Sequence, residues 1–372
     1  MRMLGNIIAF TFSCIIFLSS ISEKLITVNA EDKIGVTFDN QCSQLTDKQV
    51  YTLFDKIENN IMQRFGKEYS FENYDVVISE VNCNGKEHVY DVDVYVEMTL
   101  TSNPLESEYV VGMKDEIATI QDISKREQAQ KQFNNVVSNY MKVYNQPQLS
   151  AFLYRVIIPS ISDGYIDIDN AKYYHRVDIT DKETDLSEMP EFVSNCSTLK
   201  KSDGQEFVRN SLESKRQASN VFYNKDAAGN YAYLHATDTP EFSDENQMGS
   251  DCANFVSKCI HYGGIPVDQE GEWYPSPSVG SYAGINWMRT GYNHNGGVVP
   301  YMVDKNYFKS GSASTVTLGS ILYWNTRSHV ALVTYTDHNG TIKYSQHSNV
   351  TQTSAYIVYD SSLNVSFYIP NV

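Results

Sequence analysis

Between residues 50 and 65 the apolar positions recur at helical spacing. Val50, Leu53, Phe54, Ile57, Ile61 and Phe65 fall on one face, and Gly66 follows them. Thr46 and Gln49 stand where a capping box closes a first turn, so an amphipathic helix is expected over 46–66. In "DVDVYVEMTL" the period drops to two. Val92, Val94, Val96, Met98 and Leu100 alternate with polar or amphipathic neighbours, which predicts a half-buried strand, the second of two after the helix. A further long helix is expected from Ser124, with Glu127 completing another capping box, through Phe133, Val137 and Tyr140 to about Tyr144. Strands near 151–158 and 171–179 would complete a sheet with helices on one side. The polar run "SNCSTLKKSDGQEF" then marks a linker around 194–207.

Past that linker the pattern changes order. One or two helices lead into a short helix whose apolar face is Phe255, Val256, Cys259 and Ile260, ended by a left-handed Gly263. Residues 264–316 are loop-rich and carry Trp273 and Trp287. Strands follow at 319–324, 328–336 and 341–348, and Asp337-His338-Asn339-Gly340 is the hairpin turn between the last two. The fold class is α+β throughout. The division expected is a leader over 1–30, a separate α+β accessory domain over 31–205, and a helix-plus-antiparallel-sheet domain over 206–372.

Composition narrows the function classes. A formal charge of −16 over 372 residues argues against a nucleic-acid partner, which needs a basic surface, and against adhesion to anionic lipid by charge. Arg2 precedes an uncharged stretch from Met3 to Ile21, and Val28-Asn29-Ala30 places small residues where a signal peptidase reads. This predicts a cleaved secretory signal, a secreted or envelope-associated location, and no integral membrane association afterwards. Cleavage leaves Cys42, Cys83, Cys196, Cys252 and Cys259, an odd number, so at least one thiol stays free in an exported chain. Cys42 and Cys83 flank predicted elements and are candidates for a bridge. Cys252 and Cys259 are not, since seven helical residues separate them by about 10 Å. With no CxxC pair and no HExxH, neither a metal site nor a cofactor is expected.

The chemistry centres on "GSDCANFVSKCIHYGGIP". Ser250 or Asp251 would cap the helix, which puts Cys252 in its first turn, where unpaired N–H groups and the helix dipole favour a thiolate. A cysteine hydrolase needs a histidine to take the thiol proton and return it to the leaving amine. His329 opens an otherwise apolar strand and is that candidate. A third group must fix the histidine's tautomer, and on the paired strand residues 346–349 are in range. His347 is preferred, then Asn349, although a one-residue slip would bring Gln346 and Ser348 to that face instead. Gln247 or Asn246 is the guess for a second oxyanion donor beside the Cys252 N–H. His235, His261, His294 and His338 are expected at the surface or in turns, and His88 and His175 are isolated.

The order of these residues resembles the papain-like amidohydrolases of bacterial cell walls, of the CHAP and NlpC type. "YNKDAAGNYAY", "DCANFVSKCIHYGGIP", Trp273, Trp287 and "SHVALVT" together resemble the bacterial putative amidase domain family, with its core motif DCxNFVSxxLxxGG, over about residues 215–355. The resemblance implies Cys252 as nucleophile, His329 as base and a peptidoglycan stem peptide as substrate. A general secreted cysteine peptidase and a non-catalytic envelope-binding module are the alternatives. The chain departs from the family pattern at Ser320, Ser348 and Asn349-Val350.

Overall fold

The computed structural model describes residues 35–42, 44–162, 165–176, 191, 198–213, 221–241, 251–276, 282–293, 295–347 and 354–371. The leader expected over 1–30 lies outside them. Residues 33–372 form one compact unit.

Strand β1 (Val36–Asn40) leads into helix α1 (Asp47–Phe65), then β2 (Tyr69–Cys83) and β3 (Glu87–Leu100). Helices α2 (Glu108–Thr119) and α3 (Ile123–Val143) precede the long β4 (Pro147–Ser162), on which the short β5 (Tyr165–Ile166) and β6 (Lys172–His175) pair. Among the described residues there follow α4 (Lys201–Glu213), α5 (Lys225–His235), α6 (Asp251–Tyr262), α7 (Ile285–Met288) and α8 (Val298–Asp304). Strands β7 (Phe308–Gly311), β8 (Ile321–Trp324), β9 (Val330–Thr336), β10 (Ile342–Gln346), β11 (Ser354–Val358) and β12 (Val365–Pro370) complete the chain. The main path of the sheet runs β1-β2-β3-β4-β11-β10-β9-β8-β12-β7. From β11 to β7 every neighbouring pair is antiparallel, as expected for this half. The parallel pairing of β11 with β4, Ile357 against Ala151, carries the sheet across the expected boundary near 205, which itself falls inside α4.

The predicted face of α1 is buried against β2–β4, and the Thr46 N–H donates to Gln49 Oε1 at 2.9 Å in the expected capping box. Helix α3 starts slightly earlier than predicted because Asp122, not Ser124, caps it and accepts the Lys125 N–H at 3.0 Å. Helices α2 and α4 differ from the expectation, α2 being unpredicted and α4 replacing much of the supposed linker. Both contain a glycine, and the glycines are where the helices meet. A Cβ on Gly112 would lie 2.0 Å from the Lys201 carbonyl oxygen, and one on Gly204 would lie 2.0 Å from that of Tyr109. Val208 of α4 is thereby buried with Tyr109, Val110 and Met113 of α2.

The β9–β10 hairpin is anchored in the first half of the chain. His338 stands in its turn, as expected, and is buried there. Its Nε2 lies 3.1 Å from Ser102 Oγ, and Asn339 Nδ2 donates to the same oxygen at 3.1 Å. Lys343 Nζ donates to Ser150 Oγ at 2.7 Å, and the Tyr335 hydroxyl lies 3.3 Å from that of Tyr69.

Burial pushes His338 from 6.5 to about 4. Between those values the unfolded chain binds a proton that the folded chain does not. The contribution of the neutral ring is therefore complete above pH 6.5 and is lost as pH falls toward 4, about 3 kcal/mol at most. The neighbouring Asp337, raised by burial to about 7, works in the opposite sense over the same acid range. The difference in melting temperature between wild type and His338→Gln isolates the histidine: it should shrink as pH drops from 6.5 to 4. A pH-independent difference would refute the assignment.

Candidate active site

Helix α6 is amphipathic in an unusual way, since its polar residues are buried as well as its apolar ones. Asp251, Cys252, Asn254 and Ser257 all lie inside, with Cys252 only 3% exposed. Each polar group among them answers a particular partner. Asp251 Oδ1 accepts the Glu241 N–H at 3.1 Å and Asn254 Nδ2 at 3.2 Å. Asn254 Oδ1 accepts the Trp287 indole N–H at 2.8 Å. Ser257 Oγ donates to the Trp287 carbonyl at 3.0 Å and accepts the Trp273 N–H at 3.3 Å. These bonds tie the loop-rich segment, with its two tryptophans, to the helix that carries Cys252.

The C-terminus of α6 also has a defined cause. Ile265 N–H bonds to the Ile260 carbonyl and Gly264 N–H to that of His261, the pattern of a Schellman motif. The left-handed residue is therefore Gly264, with φ at +110°, and not Gly263 as expected. Gly263 is required for space, because a Cβ there would stand 2.4 Å from the Tyr223 ring.

Cys252, Phe255, Val256 and Cys259 share one apolar cluster with Val330 and Leu332 of β9, so the start of β9 packs beside α6. His329 immediately precedes that strand and is 8% exposed. Its ring stands edge-on to Trp324, centroids 4.7 Å apart. Its Nε2 lies 2.5 Å from Gln346 Oε1. An amide oxygen only accepts, so Nε2 carries the hydrogen and the lone pair of the neutral ring is on Nδ1. The loop over 289–293 reaches this corner through a 3.0 Å hydrogen bond between Thr290 Oγ1 and Ser328 Oγ.

His347 is not the group that holds the His329 ring, contrary to the preference stated from sequence. Ser345 pairs with Leu332, which sets Gln346 opposite Ala331, diagonal to His329 and on its face. Alternation then sends His347 to the other side. There its ring stacks on Phe255 at 4.1 Å, Nδ1 lies 2.8 Å from Asp251 Oδ2, and Nε2–H donates to the His235 carbonyl at 2.8 Å. Asn349, Gln247 and Asn246 lie outside the described residues. The signal for Gln346 was the parity of the hairpin, which a one-residue slip reverses between the His347 face and the Gln346 face.

Cys196 and His294 lie outside the described residues, and the other cysteines described separate from this site. Burial pushes the Cys42 thiol up to about 12 and the Cys259 thiol well above its ordinary value. Cys42 and Cys83 are unbridged: Cys42 Sγ lies 3.6 Å from the Ile78 carbonyl oxygen, while exposed Cys83 turns to His88 Nδ1 at 3.1 Å. His175 Nε2 lies 3.0 Å from Asp360 Oδ2, so neither His88 nor His175 is isolated. Ser320, where the family resemblance calls for an aspartate, accepts the Thr317 N–H at 3.1 Å and so closes a local turn. Among the described residues no cluster of three or more His, Cys, Asp or Glu side chains is placed to hold a metal ion, and no helix is long and apolar enough to cross a membrane.

Residues 222–369 match the family model of a putative amidase domain. That stretch is similar to the putative amidase domain family. Comparisons with curated proteins and with solved structures give no match. The matched stretch takes in α5 to α8 and β7 to β12, hence Cys252, His329, Gln346 and His347, whereas β1 to β6 lie outside it.

Proposed function

We propose that this protein is an exported cysteine amidohydrolase with a papain-like arrangement of groups, in which Cys252 attacks an amide carbonyl and His329 is the base. The observation that carries the reading is the placing of His329 at the head of β9, the strand whose Val330 and Leu332 pack on the helix that opens with Asp251 and Cys252; Gln346 accepts the His329 Nε2–H.

In the first half-reaction the Cys252 proton passes to His329 Nδ1 and Sγ bonds to the carbonyl carbon. As the tetrahedral adduct collapses, the imidazolium protonates the amide nitrogen and the C–N bond breaks, which leaves a thioester and a free amine. In the second, His329 takes a proton from water and the hydroxyl oxygen bonds to the thioester carbon. The C–S bond then breaks, the imidazolium returns its proton to the Cys252 sulfur, and the acid leaves as a carboxylate with its own proton passing to solvent. Gln346 stabilises the imidazolium formed in each half-reaction by accepting its Nε2–H. The Cys252 N–H, at the start of α6, faces the position of a developing oxyanion in enzymes of this type and is assigned that role here.

Peptidoglycan stem peptide is the substrate class we favour, from the expected export signal and the kind of enzyme the residue order resembles. Purified muropeptides and denatured casein, each incubated with wild type and with Cys252→Ser, provide the test by mass analysis. New amino and carboxyl ends are expected in the muropeptides alone and only with Cys252 intact. Cleavage confined to casein would replace the wall substrate by general proteolysis, and equal cleavage by Cys252→Ser would remove the thiol mechanism.

A further inference from the structure

We infer that His347 is a positioning residue which, through Asp251, holds the first turn of α6 and hence the Cys252 that it carries. The inference rests on the proposed role of Cys252 as nucleophile and adds to it a device that fixes its place against the sheet.

Gln346 and His347 are consecutive, so their Cα atoms are about 3.8 Å apart and their side chains leave the strand on opposite sides. One grips the candidate base and the other grips the residue next to the candidate nucleophile. The grip on α6 is built from several elements. Asp251 has no exposed surface, and its second oxygen is occupied by the Glu241 N–H and by Asn254. The far nitrogen of His347 is fixed on the last residue of α5, and its ring lies against Phe255 one turn along α6. Rotating or sliding α6 relative to β10 would break these bonds together. His347 thus fixes the first turn of α6, with Cys252 in it, on the rigid end of β10, and an error of about 1 Å in the placing of a nucleophile costs about 10²-fold in rate.

A residue that only stabilised the fold would change melting temperature without changing the chemistry of the thiol. The experiment therefore measures three quantities on the full chain for wild type, His347→Ala and His347→Gln. They are kcat and KM on the best substrate, the melting temperature, and the second-order rate of Cys252 alkylation by iodoacetamide at neutral pH, mapped by mass spectrometry. For folded His347→Ala, kcat should fall about 10²-fold with KM little changed, and Cys252 alkylation should slow toward the rate of an unactivated thiol. His347→Gln keeps a donor toward Asp251 and should recover part of both. A lowered melting temperature with kcat and alkylation unchanged, in either variant, would overturn the inference. So would loss of kcat in His347→Ala with fast alkylation retained, since Cys252 would then still be positioned. Failure of the underlying dyad has its own signature, namely full activity in Cys252→Ala and ordinary alkylation of Cys252 in wild type.

Discussion

Cys252→Ala and His329→Ala should each lower turnover by about 10⁴-fold or more, and the double variant should be scarcely slower than the worse single one. Residues that act in one step fail together, because a base without its nucleophile has no proton to take and a thiol without its base is rarely ionised. Additive losses would indicate two independent contributions, such as one residue in chemistry and the other in binding. The measurement is single-turnover release of amine from a defined peptide amide, beside a thermal melt of each variant. Cys252 is packed with Val256 and Val330, and the His329 ring with Trp324, so moderate destabilisation is expected from both substitutions. Loss of activity counts only where the variant still melts cooperatively. Gln346→Ala should be milder than His329→Ala, since the ring then samples both tautomers but is present.

The features that were legible in the sequence are those set by local rules. The α1 stripe and its capping box, the β9–β10 turn at 337–340, and Cys252 at a helix start all follow from spacing and from residues whose preferences act over one turn. The features that were not legible depend on what arrives from elsewhere in the chain. Gly112 and Gly204 carry no local signal of the close approach of α2 and α4 that they permit. Asp251 read as a cap, and its bond to His347 joins residues 96 apart in sequence. Gln346 was within reach of sequence reasoning through strand parity, but His338, written as a turn residue, became buried only because α3 and Ser102 receive the turn.

A fragment of residues 206–372, the domain expected from sequence, should fail to fold cooperatively on its own, even though it contains the whole stretch that matches the amidase family. Removing the first part of the chain takes β4 from the edge of β11 and leaves that strand's hydrogen-bonding groups unpaired. It strips Ala151 and Leu153 from the layer that contains Leu322, Trp324, Tyr344 and Ile357. The Tyr335 hydroxyl loses Tyr69, Lys343 loses Ser150, and the turn at His338 loses Ser102 and Tyr140. Asp360 loses Arg64, whose Nη2 lies 2.6 Å from Oδ2. Released charges regain water, so the decisive term is apolar: uncovering Tyr335, Tyr344 and Ile357 costs about 1.5–3 kcal/mol each. That sum approaches the whole stability of an ordinary domain, about 5–15 kcal/mol. Calorimetry and limited proteolysis of the fragment should show no sharp transition and rapid cutting within 328–347, where His329, Gln346 and His347 are held. If the fragment instead melts sharply within a few degrees of the full chain and keeps its turnover, the anchoring of the β9–β10 hairpin in the first half is dispensable. The 206–372 segment would then be a domain in the thermodynamic sense.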